Sequence, residues 1–134
     1  MKTKITIIIS LFFILGSFKQ DNNKLPKGFV YAKSIVPDLE VELRYYTTNN
    51  FVGDTIDSYH ANKLIITKQT AEALKLVQDD LLQQNLCLKV YDGYRPQQAV
   101  NNFVTWARVL NDTLKKQQFY PNVKKRNLFQ EGYI

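Results

Sequence analysis

Two stretches of helical periodicity, separated by an apolar run of six residues and a turn, constrain the fold of this chain more than any other feature. Ala71, Leu74, Val77 and Leu81 recur at spacings of three, three and four, which puts them on one face of a helix. Thr67 can cap its start, the helix is expected to run to about Gln84, and Asn85 is a plausible left-handed stop. Residues 86–91 (LCLKVY) then read as a strand, and Asp92-Gly93-Tyr94-Arg95 turns the chain into a second helix with Pro96 at its first turn. The buried stripe of that helix is expected to be Ala99, Phe103, Trp106 and Leu110. Upstream, residues 41–45 (VELRY) alternate with period two, so a half-buried strand is expected with Val41, Leu43 and Tyr45 on one face. Residues 47–63 hold two adjacent Asn, a Gly and two Asp without sustained periodicity, and ordered loops of this length are more often functional than idle. Beyond Asn111 the pattern weakens, Tyr120-Pro121 breaks it, and one short helix is expected within 124–129.

Composition agrees with one small globular domain: 134 residues, 45% apolar, 13% aromatic and 22% charged, which excludes disorder as the dominant state. The formal charge is +6, but Lys2 and Lys4 sit in a leader-like segment, and the remaining sixteen cations against twelve anions leave +4. Phosphate-backbone binding needs a concentrated basic stripe, and Lys115, Lys116 and 124–126 cluster only near the end, as a solvated face does; no nucleic-acid partner is expected. The single cysteine, Cys87, excludes an intrachain disulfide. Flanked by Leu86 and Leu88, it reads as a small buried hydrophobe rather than a nucleophile. The core alone must hold the domain.

Residues 1–17 have the form of an export signal, Lys2 and Lys4, then the apolar run ITIIISLFFIL, then Gly16-Ser17; the competing reading of this Ile-rich stretch is a buried N-terminal strand. Eleven apolar residues are too few for a bilayer core, which takes about 20, so export is expected rather than a stable membrane anchor. Residues 18–27, polar and containing Pro26, read as a linker into a domain spanning 28–134.

Metal chemistry has a thin inventory. His60 is the one histidine, and Asp54 and Asp57 nearby could add oxygen ligands, but zinc takes three or four ligands dominated by His and Cys. A solvated polar loop is the favoured reading of these three, and any Ser-His-Asp or Cys-His scheme would also have to use His60. The turn Asp92-Gly93-Tyr94-Arg95-Pro96 differs, because it sets a guanidinium beside the N-terminus of a helix, a corner that can receive an anion. Asp92 could hold Arg95 in one orientation, and Gly93 would allow the tight turn between them; the competing reading is a surface turn with an ordinary ion pair.

The segment Val90-Tyr91-Asp92-Gly93-Tyr94-Arg95-Pro96, followed by Ala99-Val100 and Phe103-Val104-x-Trp106-Ala107, resembles the zinc-dependent D-alanyl-D-alanine dipeptidases of the vancomycin-resistance type. Leu43-Arg44-Tyr45-x-Thr47-x-x-Asn50-Phe51-x-Gly53 is similar to that family's N-terminal segment, and Tyr120-Pro121 with Leu128-Phe129-x-x-Gly132-Tyr133 to its later landmarks. The likeness runs in the family's order over nearly all of 35–134. It implies an α+β fold of the Hedgehog/DD-peptidase kind, with helices packed on a small antiparallel sheet. It implies hydrolysis of a small D,D-dipeptide in cell-wall metabolism, with zinc as the cofactor of the complete family enzyme.

Carried over by position, the resemblance makes Arg95 the stabiliser of the oxyanion formed when the peptide bond is attacked. Asp92, Gly93 and Tyr94 become its supporting loop, and Tyr45 a residue near the dipeptide. The family's Ser-x-His-x-x-Gly-x-x-x-Asp and Glu-x-x-His segments, which supply zinc ligands and the general base, find no match before Ile134, and His60 matches no ligand position. The expectation is therefore an N-terminal portion that binds no zinc alone and is inactive alone. A non-catalytic module that binds peptidoglycan stem peptides is the alternative; oligomeric state is left open.

Overall fold

The computed structural model describes residues 25–134. The leader at 1–17 and most of the linker at 18–27 lie outside the described residues. In chain order the elements are β1 (Phe29–Tyr31), β2 (Glu40–Val41), β3 (Ile65–Thr67), α1 (Lys68–Leu82), β4 (Lys89–Val90), α2 (Gln97–Arg108) and α3 (Lys116–Phe119). Tight 3₁₀ turns occupy Ala32–Ser34, Arg44–Tyr46 and Lys125–Asn127. Among the described residues no helix is long and apolar enough to cross a membrane.

The strands form two separate pairs. β1 and β3 are antiparallel, with Val30 opposite Ile66, whereas β2 and β4 are parallel, with Glu40 opposite Lys89 and Val41 opposite Val90. The expected small antiparallel sheet is thus one of two, and the pair that leads into the Asp92 turn is parallel. Its ladder reaches past the regular strands: Glu42 N–H donates to the Val90 carbonyl at 3.0 Å and Arg44 N–H to Tyr91 at 3.2 Å. The step from Val90 to Tyr91, one residue where two would continue the register, breaks the ladder. The chain then tightens into the turn at Arg44–Tyr46, so the strand expected over 41–45 stops early.

α1 starts as its sequence implies. The Thr67 hydroxyl accepts from Thr70 N–H at 3.1 Å, and the helix closes with Asn85 at φ 55° and Leu86 N–H returning to Leu81 at 3.0 Å. Its buried face is rotated from the expected stripe. Ala71 is buried, but Val77 is exposed and Gln78 is buried in its place. The Gln78 amide satisfies the backbone that leads into β4: its oxygen accepts from Leu88 N–H at 2.9 Å, and its nitrogen faces the Asp38 carbonyl and Cys87 Sγ. A polar side chain wins the position because the strand end it faces has unmet hydrogen bonds. Cys87 is exposed, contrary to the expected buried hydrophobe, with Sγ 3.2 Å from the Asp38 carbonyl.

α2 has Pro96 as its N-cap residue, just before the expected first-turn position, and stops at Arg108. Ala99, Phe103 and Trp106 are buried as expected, while Leu110 lies past the helix end and is exposed. Near the C-terminus the expected short helix is the turn at Lys125–Asn127, and α3 precedes it without a sequence signal.

Two apolar groups result. One joins Ala32, Leu39, Leu43, Leu64, Ile66 and Ala71 around the strands and α1. The other lies on α2, where Trp106, Ala107, Tyr120 and Leu128 adjoin Ile56, Ala99 and Phe103 through Phe51 and Val52. Lys125, buried by this second group, sets its ammonium 3.7 Å from the Trp106 ring centroid.

Candidate active site

Because β2 and β4 run in the same direction, their C-terminal ends emerge side by side. One continues into Arg44 and Tyr45, the other into Asp92 and Arg95, so the parallel pair brings together residues about fifty positions apart in sequence. Arg95 donates from Nε and Nη2 to the same Asp92 oxygen, Oδ2, at 3.1 and 2.8 Å. The guanidinium carbon lies 5.1 Å from the Tyr45 ring centroid and 5.3 Å from that of Phe103. Asp92 therefore holds one edge of the guanidinium while two aromatic rings support it, each such contact contributing about 0.5–1 kcal/mol at a partly exposed site. Among the described residues Nη1 has no acceptor, so the outer end of the cation is available to an anionic oxygen. The side chain is 42% exposed, its Asp92 partner 18%.

Burial works against the Arg95 charge, but the Asp92 hydrogen bond and the neighbouring tyrosine and carboxylate oxygens outweigh it and hold the group above its ordinary range. Burial pushes the Tyr45 phenol up as well, so at neutral pH Tyr45 is a neutral ring beside a permanent cation.

Gly93 and Tyr94 face the other way, onto β3. Tyr94 N–H donates to the Ile65 carbonyl at 2.8 Å, and its ring meets Phe29 edge-on at 5.6 Å. A Cβ built on Gly93 would stand 2.5 Å from Leu64 Cδ1 and 2.6 Å from the Ile65 carbonyl oxygen. Glycine is needed here for close approach to a neighbouring strand, and not for an unusual backbone angle as the sequence suggested.

The loop at 47–63 is ordered from within by Asn50, which is 1% exposed. Its amide nitrogen reaches the carbonyls of Arg44, Thr47 and Asp54, and its oxygen accepts from Val52 and Gly53 N–H. Ile56 N–H then donates to the Tyr45 carbonyl at 2.9 Å, and the Tyr59 hydroxyl to Asp92 Oδ1 at 2.8 Å. Tyr59 carried no sequence signal, since its partner is 33 residues away and the loop has no period. Asn50 lies within the family-like segment, but its five hydrogen bonds leave no periodic trace in the sequence.

His60 is exposed and lines a cleft of about 290 Å³ with Tyr31, Tyr59, Lys63, Asp92 and Tyr94; neither Arg95 nor Tyr45 lines it. Asp57 accepts from Asn102, and Asp54 from the N–H of Thr55. Among the described residues no group of three or more His, Cys, Asp or Glu is placed to hold a metal ion, so His60, Asp54 and Asp57 are not gathered into one.

A family model described as D-ala-D-ala dipeptidase matches residues 26–131. A D-alanyl-D-alanine dipeptidase of Enterococcus faecium is 34% identical over 107 residues, covering 80% of this chain and 53% of the relative. One of Enterococcus faecalis is 34% identical over 110 residues, 82% of this chain and 54% of the relative. One of Streptomyces coelicolor is 33% identical over 106 residues, 79% and 52% respectively. The chain spans about half the length of the curated relatives it matches. The matched span takes in the Arg95 loop, its aromatic supports and the strands that bring them together, and the chain belongs to the peptidase M15 family, that of the D-Ala-D-Ala dipeptidases.

Proposed function

We propose that the protein hydrolyses D-alanyl-D-alanine and that this chain supplies the cationic wall of the site. The observation that carries the reading is the guanidinium of Arg95, tied along one edge to Asp92, placed over the rings of Tyr45 and Phe103, and open at Nη1. A peptide carbonyl is neutral before attack and its oxygen becomes negative as the tetrahedral intermediate forms. A fixed cation therefore gains most in the transition state, which is the condition for raising kcat. Asp92 and the two rings limit the reorientation the guanidinium needs when that charge appears. Tyr45, beside the cation, is assigned to the dipeptide.

The substrate class, a small D,D-dipeptide, is the one the relatives are named for. For the zinc that the resemblance implies in the complete family enzyme, the described residues do not supply a ligand set. Their contribution is the cation, its supports and the loop that carries them. The Hedgehog/DD-peptidase fold belongs to the same reading, as does a place in cell-wall metabolism, with the leader-like segment at 1–17 directing export.

The test is release of free D-alanine by the purified protein, as its gene encodes it, from D-Ala-D-Ala and from L-Ala-L-Ala. Release from the D,D-dipeptide alone is expected. Calorimetric binding of stem peptides ending in D-Ala-D-Ala, with no D-alanine released, would replace the enzyme by a binding module.

A further inference from the structure

Tyr59 is not used by the chemistry above, yet it touches the group that holds Arg95. The two oxygens of Asp92 have divided partners: Oδ1 accepts from the Tyr59 hydroxyl at 2.8 Å, and Oδ2 accepts both Arg95 bonds. A carboxylate held at one oxygen only can turn about its Cβ–Cγ bond and offer either oxygen; one held at both cannot. The Tyr59 ring packs on Tyr45 at 5.6 Å, so the same residue bears on a second support of the guanidinium.

The loop that delivers Tyr59 is fastened to α2, the helix that begins just after Arg95. Ser58 Oγ donates to Gln98 Oε1 at 2.8 Å, and Asn102 Nδ2 to Asp57 Oδ2 at 3.3 Å. Ser58 adopts φ 72°, a left-handed conformation that serine keeps only where its surroundings hold it. That backbone turn aims the next side chain inward at Asp92. Burial, and then the Asp92 bond, hold the Tyr59 phenol well above its usual range, so it remains a donor across neutral pH.

We propose that Tyr59 is a positioning residue, whose hydroxyl fixes the Asp92 carboxylate and through it the aim of Arg95. The catalytic consequence rests on the dipeptidase reading; the positioning does not. Tyr59→Phe keeps the ring and removes the hydroxyl. In ¹H–¹⁵N spectra of the protein as its gene encodes it, the Arg95 Nε–H signal should shift and exchange with water roughly tenfold faster in the variant, the size expected for loss of one charge-assisted hydrogen bond. With D-Ala-D-Ala, kcat should fall by roughly tenfold while KM changes little, and the substitution should cost nothing more in an Arg95→Ala background.

An unchanged Arg95 signal overturns the proposal, as does an equal loss of kcat in the Arg95→Ala background. Should the variant fail to fold, the unsubstituted protein decides: its Tyr59 hydroxyl proton should give a resolved, slowly exchanging resonance, and its absence overturns the proposal. If the Arg95 signal responds but the unsubstituted protein releases no D-alanine, the dipeptidase reading falls and the positioning stands. If hydrolysis proceeds and the signal does not respond, the reverse holds.

Discussion

The guanidinium of Arg95 is held by an ionic partner on one edge and lies over the rings of Tyr45 and Phe103, so charge and shape can be tested apart. Arg95→Ala is expected to lower kcat on D-Ala-D-Ala by roughly 10²- to 10³-fold with a smaller change in KM, as when one oxyanion donor is removed. Arg95→Lys should recover only part of this, because a point charge on a flexible stem cannot reproduce a planar fork tied at both Nε and Nη2 to one carboxylate oxygen. Were Arg95 instead the anchor of the substrate carboxylate, KM would rise sharply and kcat would hold, so measuring both parameters separates the roles. At this scale the sequence was legible where partners lie close along the chain. Asp92 and Arg95 are three apart across a turn, and their bond is present. Tyr59 and Asn50 were not legible, because what fixes them is a tertiary hydrogen-bond pattern that leaves no periodic trace. For Gly93 the sequence pointed to the tight turn, whereas the obstacle to a side chain there is the approach of Leu64 and β3, which exists only in the folded chain.

Among the elements, α1 separates what periodicity reveals from what it does not. Its cap and its left-handed stop involve neighbouring residues and were readable. Which face it buries depends on the partner, and the partner is a strand end with open backbone groups. Gln78→Ala should therefore destabilise the protein by about 1–3 kcal/mol, since it leaves the Leu88 N–H without its acceptor in a partly buried place. Val77→Ala, on the expected stripe but exposed, should stay within about 0.5 kcal/mol. Urea denaturation of both variants checks the pair, and the order would be inverted if the helix packed as its spacing alone suggests. The strand at 41–45 was misread for a related reason. Alternation describes which side chains share a face, but not how far the ladder with β4 stays in register, and the slip at Tyr91 ends it.

Across the whole molecule, the α+β class and the order of the motifs were legible, since the family resemblance covers nearly the same residues as the family match at 26–131. The division of the apolar residues into two groups was not, because it arises from where the loop at 47–63 returns onto α2. Phe103 is the test of that arrangement. It is 3% exposed, contacts Tyr45 and Phe51 with ring centroids 4.8 and 5.0 Å away, and lies under Arg95. Phe103→Ala should cost about 3–5 kcal/mol of stability, and thermal unfolding should show a correspondingly lower midpoint. Phe103→Leu should recover most of that stability without restoring the aromatic face beneath the guanidinium.

The Asp92–Arg95 turn touches both apolar groups at once: Gly93 sits against Leu64 and Ile66 of the first, and Arg95 against Phe103 of the second. A molecule gripped by the arginine therefore leans on the joint between them and behaves like a rivet. Its binding energy bears on both groups, so occupancy resists local opening of either. Amides in α1, far from the arginine, should then exchange more slowly with solvent when the joint is occupied, and the protection should scale with how firmly the anion is held.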